Sequence, residues 1–463
     1  MLGLCAVLTA GAGCSFGEDE SHARTQAATP DALARAVTPA HLKAHLLALA
    51  AIARRNGGTR AIGTRGYELS AAYVAAQLRA VGYRPRLQSF SYDLFRETRP
   101  PRLERVSPGA KRYRERRDFL TYRYSGSGNT TAQVAPVEPS SSSSGCEPSD
   151  FAGFPSGAIA LLRRGTCFTL QKAQNAKSAG ASAVLVANEG VPGRTAPIAA
   201  TLIRPGIGIP VLMISSALGS ELARSAQAGA VRLRVGVSAV TRRARAANVI
   251  ADLPGRGAGT ILLGAHLDSV ANGPGINDNG SGSALVLEVA RQARRLGVRP
   301  ARGLRFAFWG AEELGLVGSR SFVENLTAGE RQQLSAVLNF DMVGSPNFVR
   351  FVYDGDREPA GSARIEKLFR AYFAAHREPV EQLSLEGSSD HAPFADAGFA
   401  VGGLFTGADE RKTAGVARRF GGAPGRPFDA CYHQACDTVA NVNMRVFSEM
   451  ADAAAVVALR VAG

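Results

Sequence analysis

The sequence predicts an α/β protein: a mixed, largely parallel sheet with helices on both faces, interrupted by a small β-rich insertion. Three observations carry that reading. Short apolar runs at residues 260–263 (TILL), 304–309 (LRFAFW) and 336–340 (AVLNF) read as buried strands. They alternate with helical patterns at residues 284–296 and 364–375, which argues for a layered sheet rather than a bundle or a sandwich. Between residues 93 and 242 the pattern is broken by Arg- and Pro-rich, then Ser-rich, sequence, and a second compact set of short strands follows.

At 463 residues, with 45% hydrophobic and 20% charged residues, the chain has room for two or three domains with ordinary cores. The net charge of +15 raises a nucleic-acid partner, but the Arg residues are spread along the whole chain. The one dense cluster, KRYRERR at residues 111–117, contains an acid and accompanies no nucleic-acid motif. The excess is therefore read as a solvated basic surface, with no nucleic-acid partner. Of the six cysteines, Cys5 and Cys14 lie in the leader, and Cys146, Cys167, Cys431 and Cys436 can pair as neighbours, which fits an exported, oxidised chain. Residues 1–13 are apolar and rich in small residues, end in Gly11-Ala12-Gly13-Cys14, and precede Glu18-Asp19-Glu20. This resembles a bacterial lipoprotein signal in which Cys14 becomes the lipidated first residue. No Lys or Arg precedes the apolar run, so an ordinary signal peptide is the alternative. Either way the chain is expected to be secreted or held at the cell surface, with the membrane met only through a lipid anchor at Cys14.

In chain order, residues 1–36 read as leader and tether, 37–92 as the first part of the main domain, 93–242 as the inserted region, and 243–463 as the second part. A helix from Pro39 carries Leu42, Leu46, Leu49 and Ile52 on one stripe and stops at Gly57-Gly58. Residues 68–81 form a second helix, and residues 84–92 alternate like a strand. Residues 93–119 show no period, and the basic cluster inside them reads as loop. Within the insertion, strands are expected at 158–162, 183–187 and 209–214 with a helix at 172–180. The main domain resumes with strands at 248–251 and 260–263, and Gly402-Gly403-Leu404-Phe405 reads as a late buried strand.

Four segments carry chemistry. The stretch GAHLDSVANGPGINDNGSG (264–282) puts His266 and Asp268 at the carboxyl end of a strand and Asp278 in a Gly-rich loop before a helix, the edge where open α/β sheets bind ligands. Imidazole and carboxylate suit a metal, and a neighbouring acid can orient the ring. Glu312 and Glu313 follow the 304–309 strand directly; one acid of such a pair can bind metal while the other handles protons. Asp341 ends the 336–340 strand, and His433 sits between Cys431 and Cys436. Those cysteines either close a disulfide that stiffens the loop or serve as thiolate ligands. The set of two His and four carboxylates suits two divalent ions sharing one carboxylate, with one acid left over as base; zinc favours such N/O donors. Ser389-Asp390-His391 competes with His433 on spacing alone. His22, His41, His45 and His376 are expected at the surface or on helix faces.

The insertion resembles the protease-associated (PA) domain of exported peptidases, through Arg164, Gly165, Cys167, Phe168, Lys172, Asn175, Ala176, Gly180, Ala181 and Asn188. The resemblance implies a Cys146–Cys167 disulfide. The runs GAHLDSV, GPGINDNGSG, RFAFWGAEELGLVGS, NFDMVGSP, SDHAPF, GGLFTGA and CYHQACD, in that order, resemble the zinc aminopeptidases of peptidase family M28, near the secreted streptomycete type. That resemblance implies two Zn2+: His266 and Asp341 on one, Glu313 and His433 on the other, Asp278 bridging. It implies Glu312 as general base, Tyr432 as donor to the oxyanion, Asp268 orienting His266, and a cis peptide after Asp278. Under the family pattern His391 is structural or near the substrate rather than a ligand, Cys431 and Cys436 pair, and Phe405 lines an apolar pocket for the first side chain of a peptide substrate. Some members bind Ca2+ through acids near the chain ends; Ser448 stands near Asp452 where one such acid is expected, so Ca2+ is kept as a possible but doubtful third ion. Gly387-Ser388 replaces the Gly-Arg of near relatives, which leaves side-chain preference open. The sequence thus predicts a monomeric, exported aminopeptidase acting on N-terminal, hydrophobic residues. An inactive binding protein on the same fold, or a carboxypeptidase or cyclase variant of it, is the alternative.

Overall fold

The computed structural model describes residues 29–191, 194–384 and 388–463. The leader, with Cys5, Cys14 and His22, and Gly387 lie outside the described residues.

The strand Thr260–His266 is the axis of the main domain. Gly303–Trp309 and Leu334–Phe340 pair with it in parallel on either side. Val401–Phe405 extends the parallel run beyond Leu334–Phe340. Phe351–Tyr353 then joins antiparallel, and Glu381–Leu383 closes that edge. On the other side the end of the long strand Arg232–Leu253 pairs antiparallel with Gly303–Trp309, so the sheet is mixed. Its central strands are mostly apolar because both faces are covered. Ile261, Leu263, Leu304, Phe306 and Phe308 face a core shared with the helices Pro39–Arg55, Gly282–Arg295 and Met444–Ala462. Leu262, Ala307 and Trp309 point the other way, onto Phe322 and Phe394 of the helices Val317–Glu324 and Ala392–Asp396.

Two expectations from sequence need correction. Residues 30–36, read as tether, form the helix Pro30–Ala36, capped by Thr29 and started by Pro30. It belongs to the fold because Leu33 and Val37 are buried in the main core. The strand expected at 84–92 runs instead from Arg86 to Ser107, through the Arg- and Pro-rich stretch read as loop, and Lys111–Arg112 of the basic cluster adds a short strand beside it. That strand has no one-sided apolar period because it is one half of an antiparallel ribbon with Arg232–Leu253, much of it open to water. Cross-strand hydrogen bonds define it rather than a buried face.

The ribbon carries the inserted module. There Gly128–Pro136, Ile159–Arg163, Ala183–Ala187 and Val211–Ile214 pair in parallel, with Phe119–Thr121 antiparallel at the edge. The helices Thr169–Ser178 and Ser216–Ala228 flank them, with a separate apolar core on each face. The Cys146–Cys167 disulfide is formed. Among the described residues no single helix is long and apolar enough to cross a membrane; Pro30–Ala36 and Pro39–Arg55 are bent 53° from one another, and Leu33, Leu42, Leu46 and Leu49 lie in the core.

His45, expected at the surface or on a helix face, lies on such a face but is buried. Its Nε2 meets Glu288 at 2.9 Å and its Nδ1 meets Tyr73 Oη at 2.7 Å. Burial pushes the Glu288 carboxyl up, but hydrogen bonds from His45 and Gln292 and the charge of Arg291 outweigh it and hold the carboxyl at about 2. A depressed folded value means that this stabilisation is present above pH ~4.5 and is lost as pH falls through about 2. Glu288→Ala is expected to cost about 3–5 kcal/mol in urea or thermal denaturation, since it strands His45 and Arg291. The gap between wild type and Glu288→Gln should shrink as the pH is lowered over the same window.

Candidate metal centre

Every candidate donor stands at a carboxyl end of the parallel sheet or in a loop beside it. His266 is the last residue of its strand and is buried. Glu312 and Glu313 lie in a short 3-10 turn just after Trp309, entered through Ala311 in the left-handed region (φ 60°). Asp341 follows Phe340 directly and precedes Met342, also left-handed (φ 44°). His433 (φ 57°) sits on the loop closed by the Cys431–Cys436 disulfide, which is formed, so those sulfurs are not ligands. Left-handed non-glycine residues at three of the donor loops are the local strain expected where surrounding structure imposes geometry on a site.

The donors converge on Asp278. Its Oδ1 lies 3.3 Å from His266 Nε2, and its Oδ2 lies 3.1 Å from His433 Nε2. His266 Nε2 is also 3.3 Å from Asp341 Oδ1 and 3.9 Å from Glu312 Oε2. His433 Nε2 is 3.2 Å from Glu313 Oε2. One carboxylate therefore stands between two imidazoles, each with a further acid at its other side. Asp268 Oδ1 lies 3.8 Å from His266 Nδ1, but the nearer partner of that nitrogen is the Asp268 main-chain carbonyl at 3.1 Å. The Asp268 carboxylate instead accepts from the Glu312 main-chain N–H at 3.2 Å, so it ties the two loops together. His391 is buried, edge-on to the Tyr353 ring, with burial lowering its pKa to about 4; it stays neutral and apart from the donors.

The loop from 273 to 282 needs glycine three times, first at Gly273, where a Cβ would sit 2.3 Å from the Gln434 carbonyl oxygen. Gly275 has φ 60°, and a Cβ there would sit 2.2 Å from the Asp278 carbonyl oxygen. A Cβ on Gly282 would sit 2.1 Å from the Phe340 carbonyl oxygen, so only glycine lets the helix Gly282–Arg295 begin against the central sheet. The Asp278–Asn279 peptide is cis, as the family resemblance implied.

Several supporting residues were not singled out from sequence. Asp437 accepts from the main-chain N–H of Asn277 (2.8 Å) and of Asp278 (3.0 Å), clamping the central carboxylate's own backbone. Asp429 accepts from Asn277 Nδ2 (2.7 Å) and from the Cys431 N–H (2.8 Å), joining the Asp278 and His433 loops. Asn279 Oδ1 accepts from Gly282 and Met342, and Ser389 Oγ donates to Asp341 Oδ2 at 2.7 Å. Buried Arg60 donates to the carbonyls of Leu267, Pro274 and Gly275. Asp437 and Ser389 stood inside runs already singled out, so their signal was present; Arg60 lies 206 positions before His266 with nothing local to mark it.

The electrostatics fit cations. Burial favours neutral, lower-pKa imidazoles, yet Asp341 and Glu312 hold His266 well above its usual value, and Glu313 with Asp278 raises His433 to about 11. Burial likewise raises Glu312 well above the carboxylate range, helped by Glu313, Asp390 and Asp341. Glu313 Oε1 and Asp341 Oδ1 are buried without a well-formed hydrogen bond, the latter only facing His266 Nε2 at 3.3 Å, so both are open to a ligand bond. The donor set is all imidazole nitrogen and carboxylate oxygen, as zinc accepts.

The cluster floors a cavity of about 370 Å³. Phe405, stacked on Phe351, and Phe428 form its apolar side; Tyr432, its ring 3.8 Å from that of His433, and Asp409 and Glu410 complete the wall.

A sheet of this topology with imidazole and carboxylate donors gathered at its carboxyl edge defines a site suited to divalent metal, and likeness to known proteins places that site among the metallopeptidases. The family model of peptidase family M28 matches residues 248–458, and that of the PA domain matches residues 130–222. An aminopeptidase of Pseudomonas aeruginosa is 40% identical over 443 residues, covering 93% of this chain and 82% of the relative. A probable lipoprotein aminopeptidase of Mycobacterium tuberculosis, LpqL, is 39% identical over 430 residues, covering 89% and 82%. The chain belongs to peptidase family M28, with an inserted PA domain. Its fold matches that of an aminopeptidase from Aneurinibacillus sp. strain AM-1, with a TM-score of 0.77 at 24% identity over 94% of this chain and 96% of the other.

The clamp on the central loop gives a direct test. Asp437→Ala is expected to weaken divalent-metal retention about 10–100-fold, read as metal left on the protein during titration with a chelator.

Proposed function

We propose that the protein is an exported dinuclear zinc aminopeptidase. The observation that carries this is the placement of the two Asp278 carboxylate oxygens, each facing a different imidazole. In this reading His266 and Asp341 hold one Zn2+, Glu313 and His433 the other, and Asp278 both. The ions supply Lewis acidity toward the scissile carbonyl and lower the pKa of a coordinated water.

The chain's own groups do the rest. Glu312 faces the cavity 3.9 Å from His266 Nε2, where it can accept a proton from the attacking water and return it to the leaving amine. Burial keeps the Tyr432 phenol protonated, its pKa well above the usual value, so it is a standing donor to the oxyanion that develops on the carbonyl. Asp268 holds Glu312 through the main chain and His266 through its own carbonyl. Glu312 and Asp341 offer negative charge to a free α-amine, and Phe351, Phe405 and Phe428 offer an apolar wall, which supports a preference for hydrophobic N-terminal residues.

Two formed disulfides support an oxidising destination, and the lipoprotein relative supports a Cys14 anchor as one form of it. The same reading takes residues 37–92 and 243–463, together with the helix Pro30–Ala36, as the peptidase domain, 93–242 as the insertion, and the chain as a monomer acting on peptides.

Dialysis against chelator is expected to abolish hydrolysis of leucyl p-nitroanilide, and two equivalents of zinc to restore it; activity indifferent to chelation refutes the reading. Glu312→Ala should keep both ions while kcat falls about 10²–10⁴-fold. N-acetylated peptides should not be cut; a chain that prefers them is not an aminopeptidase.

A further inference from the structure

The inserted module reaches the metal centre at two points. Arg123, just beyond the strand Phe119–Thr121, donates from Nη1 to the main-chain carbonyl of Glu313 at 2.7 Å. Arg116, at φ 67° in the turn before that strand, donates to the side-chain oxygen of Asn272. Asn272 Nδ2 in turn donates to the main-chain carbonyl of His433 at 3.3 Å. The two carbonyls belong to the two residues whose side chains meet on the Oδ2 side of Asp278.

These backbone segments need an outside hold. Glu313 lies in a three-residue 3-10 turn between left-handed Ala311 and Gly315, and His433 is itself left-handed on a loop whose imidazole is one-third exposed. Both turns have main-chain hydrogen bonds of their own, but among the described residues no main-chain N–H donates to the Glu313 or His433 carbonyl, so a side-chain donor from outside fixes that peptide plane and with it the side chain it carries. The other half of the centre is held differently. His266 ends a paired strand and is fixed by the Asp268 carbonyl; Asp341 ends another and is fixed by Ser389. Among the described residues, neither Arg116 nor Arg123 has a hydrogen bond to His266 or Asp341.

We propose that the inserted module is a positioning element of the metal centre: through Arg123, and through Arg116 by way of Asn272, it sets the affinity of the Glu313–His433 metal position and leaves the His266–Asp341 position to the main domain. This rests on the dinuclear reading above. It gives the insertion a task at the reacting end of the molecule, with Arg116 and Arg123 as positioning rather than catalytic residues.

The test follows zinc retained by the full chain during titration with a chelator, with folding checked by circular dichroism. Wild type is expected to hold two ions. In Arg116→Ala/Arg123→Ala one ion should leave at about 10–100-fold lower chelator concentration while the other leaves where it does in wild type. Arg123→Lys, which keeps a cationic donor, should recover part of the shift. Arg116 is exposed, so Arg116→Ala alone carries the test if the double variant does not fold. Release of both ions at wild-type concentrations, or an equal shift of both, overturns the proposal. A wild-type chain that holds fewer than two ions overturns the dinuclear reading instead, and does so before any variant is made.

Discussion

The centre depends on one carboxylate held between two imidazoles. Asp278 can face His266 and His433 at once only if its backbone is immobile, and most of the polar network around it serves that end. Asp437 clamps the two N–H groups leading into it, Asn279 ties the following turn to the Asp341 loop, and Arg60 gathers carbonyls of the chain that precedes it. Gathering this much negative charge in a buried place is unfavourable unless positive charge answers it. The cluster is therefore defined as much by the cations it demands as by the contacts it makes.

Much of this was legible in the sequence, and the reason is geometric. A parallel strand buried on both faces has to be apolar throughout, so an acid or imidazole at its end stands out against its own run; His266, Glu312 and Asp341 were found that way. His433 was marked by its flanking cysteines and by the family pattern, which also separated it from His391. What the sequence concealed were contacts made by residues without a local pattern. His45 looked like one more polar residue on an amphipathic helix, and its burial depends on Glu288 some 240 positions away. The Arg86–Ser107 strand was concealed for the opposite reason: an open ribbon needs no apolar alternation, and its arginines and prolines read as loop.

The two layers of the main domain divide the work. Core residues on the two faces of the sheet fix the strand ends to within the tolerance that a shared carboxylate requires. The loops beyond those ends carry the left-handed residues that aim the side chains. Rigidity and strain are thus adjacent along the chain, which is how a sheet edge becomes a reactive surface without loss of the fold.

The ribbon has a consequence for how such a molecule can be assembled over evolutionary time. Its two strands leave the host sheet side by side, with Arg86 paired to Ile250 at the base, so the host chain could be closed by a short hairpin at that point. An insertion mounted there lengthens the polypeptide by an entire lobe while leaving the order of the host strands untouched. The mounting is modular in its connectivity, even though individual side chains cross the seam.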